Sequence, residues 1–182
     1  MSYQGPEWAI ALVQQLAKYR NNSGIMADLR RGRGKEPVDC ITMHRWVCRF
    51  VPDGQVGTGK EWAVYTVASQ FALNPNAKAC DRSLGWSLRE VARSGRFSEQ
   101  GLEARLIRLS RSRTSAQLCK QLPGLLSVLA SSGAPISWPL LASDINQWDF
   151  DSAKVIRRWM RDFYQPPNNK QEQTAPTTQG AI

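Results

Sequence analysis

The chain has 182 residues, of which 42% are hydrophobic, enough for one domain or two small ones with a buried core. Its 24 Lys and Arg residues against 15 Asp and Glu give a formal net charge of +9, and Arg outnumbers Lys by more than two to one. This excess argues against cationic partners and favours polyanions, since the planar guanidinium matches phosphate and stacks on bases. No apolar run approaches the roughly 18 residues of a membrane span. Polar residues interrupt the N-terminal apolar ones, so we expect no signal peptide, no membrane contact and a cytoplasmic location.

Apolar residues recur every three or four positions, which predicts helices throughout. The first is expected from Pro6 to Arg20, and a short second one ends in the glycine-containing loop 31–37. Pro37 is expected to begin a third helix that runs to Val51. A turn-rich segment, 53–59, precedes a fourth helix over 61–73, although the Val, Thr and Tyr residues there would also suit a strand.

Helix boundaries are clearer in the second half of the chain. Ser83 and Gly95 bound one predicted helix, and Ser98 begins the next. A leucine-rich helix over 115–130 contains Pro123, which is expected to kink or split it. Ser137 followed by Pro139 marks a further start, and Asp151 or Ser152 is expected to cap the last helix. Residues 165–182, rich in Pro, Gln and Thr, are expected to be disordered.

The chain offers little for catalysis or metal binding. His44 is the only histidine, between Cys40 and Cys48 on a predicted helix. Residues eight apart on a helix lie about 12 Å apart along its axis, so one zinc ion cannot bind both cysteines. Asp149 and Asp151 form a DxD pair at a helix boundary, where caps are common. We therefore expect no catalytic site, no metal and no cofactor.

One segment has the spacing of a phosphate-binding loop. GQVGTGK (54–60) matches GxxxxGK, but Glu61 stands where a Ser or Thr would hold magnesium, and no strand is predicted before it. A plain turn is the better interpretation. The tryptophans at apolar helix positions, Trp8, Trp62, Trp148 and Trp159, are expected to pack in the core instead of stacking on bases.

Basic residues cluster in three groups, from which we select candidate nucleic-acid contacts. The first group contributes Arg30, Arg31 and Arg33, the second Arg93, Arg96, Arg105, Arg108, Arg111, Arg113 and Lys120, and the third Arg157, Arg158 and Arg161. The second group is poor in neighbouring acids, so a bound anion would relieve its self-repulsion. The first and third could equally complement a helix dipole or lie on a solvated face. Contacts to phosphate position a protein without reading sequence, so we expect sequence-tolerant binding.

Four segments, taken in order, resemble a known family. SLGWSLREVARSGRF (83–97), LIRL (106–109), PISWPLLASDINQW (135–148) and RRWMRDFY (157–164) are similar to the CasB family, the small subunit of the type I-E CRISPR surveillance complex Cascade. The resemblance implies an all-α fold of two small helical bundles, here 1–112 and 113–164, with roughly eight to nine helices before the tail at 165–182. By position, Arg31, Arg96, Arg108 and Arg113 look most like the family's DNA-facing residues.

The resemblance also implies a non-catalytic role. The family contacts the backbone of crRNA and target DNA and stabilises the R-loop, in the company of the crRNA-bound backbone subunits, the large subunit and a second copy arranged head to tail. Two alternatives remain open from the residues themselves. One is a protein–protein scaffold whose arginines pair with acidic partners, and the other is a free-standing helical DNA-binding regulator, which should show a helix-turn-helix.

Overall fold

Eight α-helices follow one another along residues 5–165, the part of the chain that the computed structural model describes. They are α1 (Glu7–Tyr19), α2 (Ser23–Arg30), α3 (Ile41–Val47), α4 (Gly59–Leu73), α5 (Leu84–Arg93), α6 (Glu99–Ser110), α7 (Ser115–Ser132) and α8 (Trp138–Tyr164). Short 3₁₀ segments lie at Pro37–Asp39, Cys48–Phe50 and Asp53–Gln55. Within these residues the only β pairing is an isolated bridge between Ala79 and Ile136. The all-α prediction is confirmed.

Helix α4 lies at the centre of the fold because it is apolar on every side. It is buried from Ala63 to Ala72, and it packs against α1, α2, α7 and α8. Helix α8 in turn contacts α1, α4, α5, α6 and α7. Buried side chains from Ala9 to Phe163 form one cluster that crosses the predicted boundary at 112/113. The division into two subdomains stays a prediction.

Most predicted helix starts are confirmed by side-chain caps, which act locally. The hydroxyl oxygens of Ser83, Ser98 and Ser137 accept from the backbone N–H of Trp86, Gly101 and Leu140, at 3.5, 3.1 and 3.4 Å. Gly95 adopts the expected left-handed conformation with φ 70°. Asp151 has a non-helical backbone (φ −152°, ψ 61°) that breaks α8 in two, and its Oδ1 accepts from the N–H of Lys154 at 3.1 Å.

Two expected elements differ in the structure. The predicted helix from Pro37 to Val51 is only the seven-residue α3 between two 3₁₀ segments, because Cys40 leaves the helical conformation (φ −92°, ψ 43°). Helix α7 is not split at Pro123: it continues to Ser132. Its leucines on both sides of the proline are buried in the core, and this packing offsets the missing N–H. The predicted disorder of 165–182 concerns residues that, except for Gln165, lie outside the described part of the chain.

Candidate nucleic-acid interface

Five of the predicted contact residues pair with a carboxylate of the chain itself. Arg31 meets Asp28 at 2.7 Å, Arg93 meets Glu90 at 3.4 Å, Lys120 meets Glu36 at 2.8 Å, Arg161 meets Asp162 at 3.2 Å, and Arg158 meets Asp144. Exposed pairs such as Arg93–Glu90 and Lys120–Glu36 contribute little to stability, so an incoming phosphate can compete for these two cations. Arg158 differs because it is mostly buried.

A second set of predicted residues has no such partner. The side chains of Arg105, Arg108, Arg111, Arg113 and Arg157 are exposed and form no hydrogen bond or ion pair within residues 5–165. Arg105 and Arg108 are three residues apart on α6, whose Leu102, Leu106 and Leu109 are buried. The neighbouring Glu103 forms no ion pair with either arginine and accepts a hydrogen bond from the hydroxyl of Tyr164. Arg105 and Arg108 therefore present guanidinium groups that no carboxylate among residues 5–165 pairs with.

Helix α7 brings together cations that are far apart in the sequence. Arg33, in the loop after α2, donates to the hydroxyl of Ser127 at 2.7 Å and to the carbonyl of Pro123 at 3.4 Å. Arg96, in the turn after α5, donates to the carbonyl of Ser131 at 3.3 Å. Positions 123, 127 and 131 are four residues apart and share one face of the helix. Lys120 is on the same face, three residues before Pro123, and we call Lys120, Arg33 and Arg96 the α7 stripe.

A small pocket opens beside this stripe. It has a volume of about 220 Å³ and lies between the C-terminal end of α4 and the middle of α7. Arg33 and Ser127 line it together with Trp138 and with apolar residues of both helices. Arg30 lies at the same end of α4, where its Nε donates to the carbonyl of Ala72 at 2.9 Å. Arg33 therefore lines the pocket, and Arg30 contacts Ala72, which precedes the lining residue Leu73.

Asp28 is a structural residue that the sequence analysis missed. It accepts from Arg31, from Arg45 at 2.8 Å and from the indole N–H of Trp46 at 3.1 Å. These hydrogen bonds, Arg45 first and Trp46 next, hold the pKa of Asp28 below its usual range. The signal for one of these contacts was present in the sequence, because residues 28 and 31 are three apart on a helix.

Arg158 occupies a different environment from the rest of its group. Its side chain is only 18% exposed and contacts Asp144, which is buried and also accepts from the indole N–H of Trp159 at 2.6 Å. Burial raises the pKa of Asp144 to about 7, although Arg158 and Trp159 lower it. On the same helix, Lys154 and Arg157 stay exposed. The third group thus divides into a buried structural ion pair and an exposed basic surface.

The residues considered for metal and nucleotide binding have internal partners. Cys40 Sγ lies 3.2 Å from the carbonyl of Glu36, and the hydroxyl of Tyr65 is hydrogen-bonded to His44 Nδ1. Glu61 accepts from the backbone N–H of Gly57 at 2.8 Å, so its own carboxylate occupies the glycine loop. Among residues 5–165 no three His, Cys, Asp or Glu side chains are grouped as metal ligands would be. In the same part of the chain, no helix combines the length and apolar character that crossing a membrane requires.

Comparison with known proteins decides the family. The family model described as CRISPR-associated protein Cse2 matches residues 25–164. The chain belongs to the Cse2 (CasB) family. This is the type I-E Cascade small-subunit family that the four sequence segments resemble, so that prediction is confirmed. No curated protein sequence matches the chain.

Several solved structures have a fold similar to that of this Cse2-family chain. A chain of a CRISPR RNA-guided surveillance complex is 30% identical, with a TM-score of 0.77 over 86% of this chain and 91% of that one. A Cse2-family protein from Thermus thermophilus is 21% identical, with a TM-score of 0.71 over 86% and 97%. CasB from M. ruber is 23% identical, with a TM-score of 0.67 over 87% and 93%. The last two likenesses concern the fold alone.

The Cse2-family chain also exposes apolar side chains away from the α7 stripe. Val38, Ile41 and Val56 are 78%, 81% and 63% exposed and line a cleft of about 770 Å³ with Trp62. Val38 and Ile41 lie in the segment that was predicted to be a longer third helix, and both side chains are on the surface. Exposed apolar patches are typical of protein–protein interfaces. This observation favours the scaffold alternative as one part of the function.

Proposed function

We propose that this protein is a non-catalytic subunit of a type I-E CRISPR surveillance complex that holds the backbones of crRNA and target DNA and stabilises the R-loop. The observation that carries the proposal is the set of cations without acid partners on α6, at 111–113 and beside α7. Solvated surfaces usually intersperse both signs of charge. A group of exposed arginines that pair with no carboxylate among the described residues is best explained by an anion that arrives from outside.

R-loop formation gives such a surface a mechanism. The heteroduplex that forms is about as stable as the DNA duplex that it replaces, so protein contacts to the backbone can tip the balance. Arginines that hold a displaced strand oppose its reannealing. They need no base recognition, because pairing with the guide supplies the sequence. We propose the crRNA-bound backbone subunits, the large subunit and a head-to-tail second copy as the protein partners.

Reversing three arginines tests this function. Arg96, Arg108 and Arg113 are all exposed, and none has an acid partner within residues 5–165. With all three changed to Glu, we expect the complex to assemble normally but its R-loop to dissociate faster. The slope of log affinity against log salt concentration should fall by about 3, roughly one for each lost phosphate contact. Both are measured on the reconstituted complex at four or more salt concentrations.

The matched control changes Lys18, Arg20 and Lys78 to Glu. These three residues are exposed, and their substitution alters the net charge by the same amount. Its salt slope should equal that of the wild type. If the Arg96, Arg108 and Arg113 variant fails to assemble while the affinity of intact complexes for nucleic acid is unchanged, the strand-holding role is wrong and the scaffold function remains. If both triple variants weaken binding equally, net charge and not these positions is responsible.

A further inference from the structure

Phe150 is the most exposed large hydrophobic side chain among residues 5–165, with 83% of its surface accessible. It lies where Asp151 leaves the helical conformation and divides α8 in two. Trp148 and Trp159 of the same helix are buried, so core packing accounts for their rings. Packing within the described part of the chain does not account for the ring of Phe150.

The backbone that leads into Phe150 is fixed to the turn between α6 and α7. The carboxylate of Asp149 accepts from the backbone N–H and from the hydroxyl of Ser115, both at 2.6 Å. The indole N–H of Trp148 donates to the carbonyl of Ser112 at 2.9 Å. The ring is therefore presented from a firm support, and a ligand that stacks on it need order little of the chain.

Exposed cations lie on both segments that meet at this break. Four of them form no ion pair within residues 5–165: Arg111, Arg113, Lys154 and Arg157. Arg113 is two residues before Ser115, and two residues of chain span at most about 7 Å. Asp149, the residue before Phe150, binds Ser115 directly. The ring of Phe150 and the guanidinium of Arg113 therefore extend from the two sides of one contact.

The two carboxylates beside Phe150 are held by helix N-termini. Asp149 accepts from the first N–H of α7, and Asp151 accepts from the N–H of Lys154 at 3.1 Å, in the first turn after the break in α8. The positive end of a helix dipole, about half an elementary charge, offsets part of each negative charge. The four exposed cations also outnumber these two carboxylates. Together these groups favour an anion next to the ring.

An exposed aromatic ring among unpaired cations suits a single-stranded nucleic acid. Proteins that bind such strands stack bases on aromatic side chains and hold the phosphates on a positively charged surface. Bases inside a duplex are already stacked on one another, so a surface ring does not reach their faces. An apolar segment of another protein would cover the ring but would leave the cations unpaired.

We propose that Phe150 stacks on one base of a single-stranded nucleic acid while Arg111 and Arg113 hold the phosphates next to that base. This inference rests on the proposed strand-holding function and adds a base contact to it. Every base has a π face, so stacking on Phe150 positions a strand without selecting its sequence.

Truncation of the ring tests the stacking contact. The full-length protein is titrated at low salt with labelled oligothymidylate and with an abasic strand of equal length, which keeps every phosphate. We expect Phe150→Ala to bind the intact strand roughly five- to a hundredfold more weakly, as loss of one base–aromatic stack does elsewhere. Binding of the abasic strand should not change. Oligouridylate titrated in parallel shows whether DNA or RNA loses more affinity, and so which strand Phe150 serves.

Further variants separate stacking from apolar contact. Phe150→Trp keeps an aromatic face and should bind the intact strand at least as tightly as the wild type, whereas Phe150→Leu should bind nearly as weakly as Phe150→Ala. All three variants should unfold at the wild-type temperature, because position 150 is exposed. Ile41→Ala is the matched control, since Ile41 on α3 is 81% exposed. It should leave both affinities unchanged.

Unchanged affinity of Phe150→Ala for the intact strand overturns the proposal, and so does an equal loss on intact and abasic strands. If Phe150→Ala prevents assembly of the reconstituted complex while the free chain binds oligonucleotides as the wild type does, the ring belongs to a protein contact and the proposal is wrong.

The salt slope keeps failure of this inference separate from failure of the proposed function. Phe150→Ala removes no phosphate contact, so it should leave the slope unchanged. If the Arg96, Arg108 and Arg113 reversal lowers the slope while Phe150→Ala has no effect on affinity, strand holding stands and only the stacking contact is removed. A slope that the reversal leaves unchanged removes the strand-holding function itself.

Discussion

Replacing Gly85 by alanine is expected to lower the melting temperature by roughly 6–12 °C, which corresponds to a loss of about 3 kcal/mol for a chain of this size. Gly85 lies on α5 where that helix crosses α8. An added Cβ would lie 2.6 Å from the carbonyl carbon and 2.8 Å from the Cα of Trp159, and closer still to its carbonyl oxygen. These are backbone atoms, so no rotamer change can relieve the overlap and the two helices must separate. Overpacking of this kind costs about 1–3 kcal/mol and sometimes more.

Gly124→Ala is the matched control for this substitution. Gly124 is also inside a helix, α7, but a Cβ there meets no atom within 4 Å. Alanine should stabilise that helix by up to about 1 kcal/mol because it restricts the unfolded chain. Thermal unfolding of the two variants should therefore shift in opposite directions. Equal shifts would show that helix propensity, and not the α5–α8 contact, sets the stability at Gly85.

The sequence predicted the helices whose boundaries are decided by neighbouring residues. Ser83, Ser98 and Asp151 accept hydrogen bonds from an N–H three residues later, so each cap could be recognised locally. The third helix was predicted too long because Pro37 is a helix-start signal, whereas in the structure it begins only a 3₁₀ segment and the neighbouring Val38 and Ile41 are exposed. Periodicity shows which residues share a helix face, but it does not show whether that face is covered.

The candidate site was predictable in composition but not in arrangement. The arginines could be selected by type and by the lack of acidic neighbours. That Arg33 and Arg96 meet on α7 depends on long-range packing, which no local pattern contains.

The burial of the Arg158 side chain could have been anticipated from the position of Asp144. That carboxylate is three residues after Leu141 and four before Trp148, so it shares the core-facing side of its helix. A carboxylate in such a position needs a buried donor or cation. What the sequence did not show is which one, because the break at Asp151 changes the direction of α8 between Asp144 and Arg158.

Removing one member of this buried pair should be strongly destabilising. We expect Asp144→Leu to cost about 3–5 kcal/mol in the free energy of unfolding, since Arg158 and the indole N–H of Trp159 both lose their acceptor. At low pH, Arg158→Met should lower the free energy of unfolding by less than this amount. The double variant Asp144→Leu with Arg158→Met removes both charges and should recover most of the loss. Urea unfolding of the four proteins provides the double-mutant cycle. If the single losses simply add up in the double variant, the two groups do not act as a pair.

The pH dependence of Arg158→Met tests the same contact independently. Burial already raises the pKa of Asp144 to about 7, and loss of the arginine raises it further because a favourable charge is gone. The folded state then binds a proton that the unfolded chain releases above its ordinary carboxyl pKa of about 4. Stability must therefore fall as pH rises from about 5 to 8, by up to about 1.4 kcal/mol per unit. Above pH 7 the free energy of unfolding of Arg158→Met should continue to fall, whereas that of the wild type should level off. It should vanish in the double variant, which has no carboxyl at position 144 to titrate.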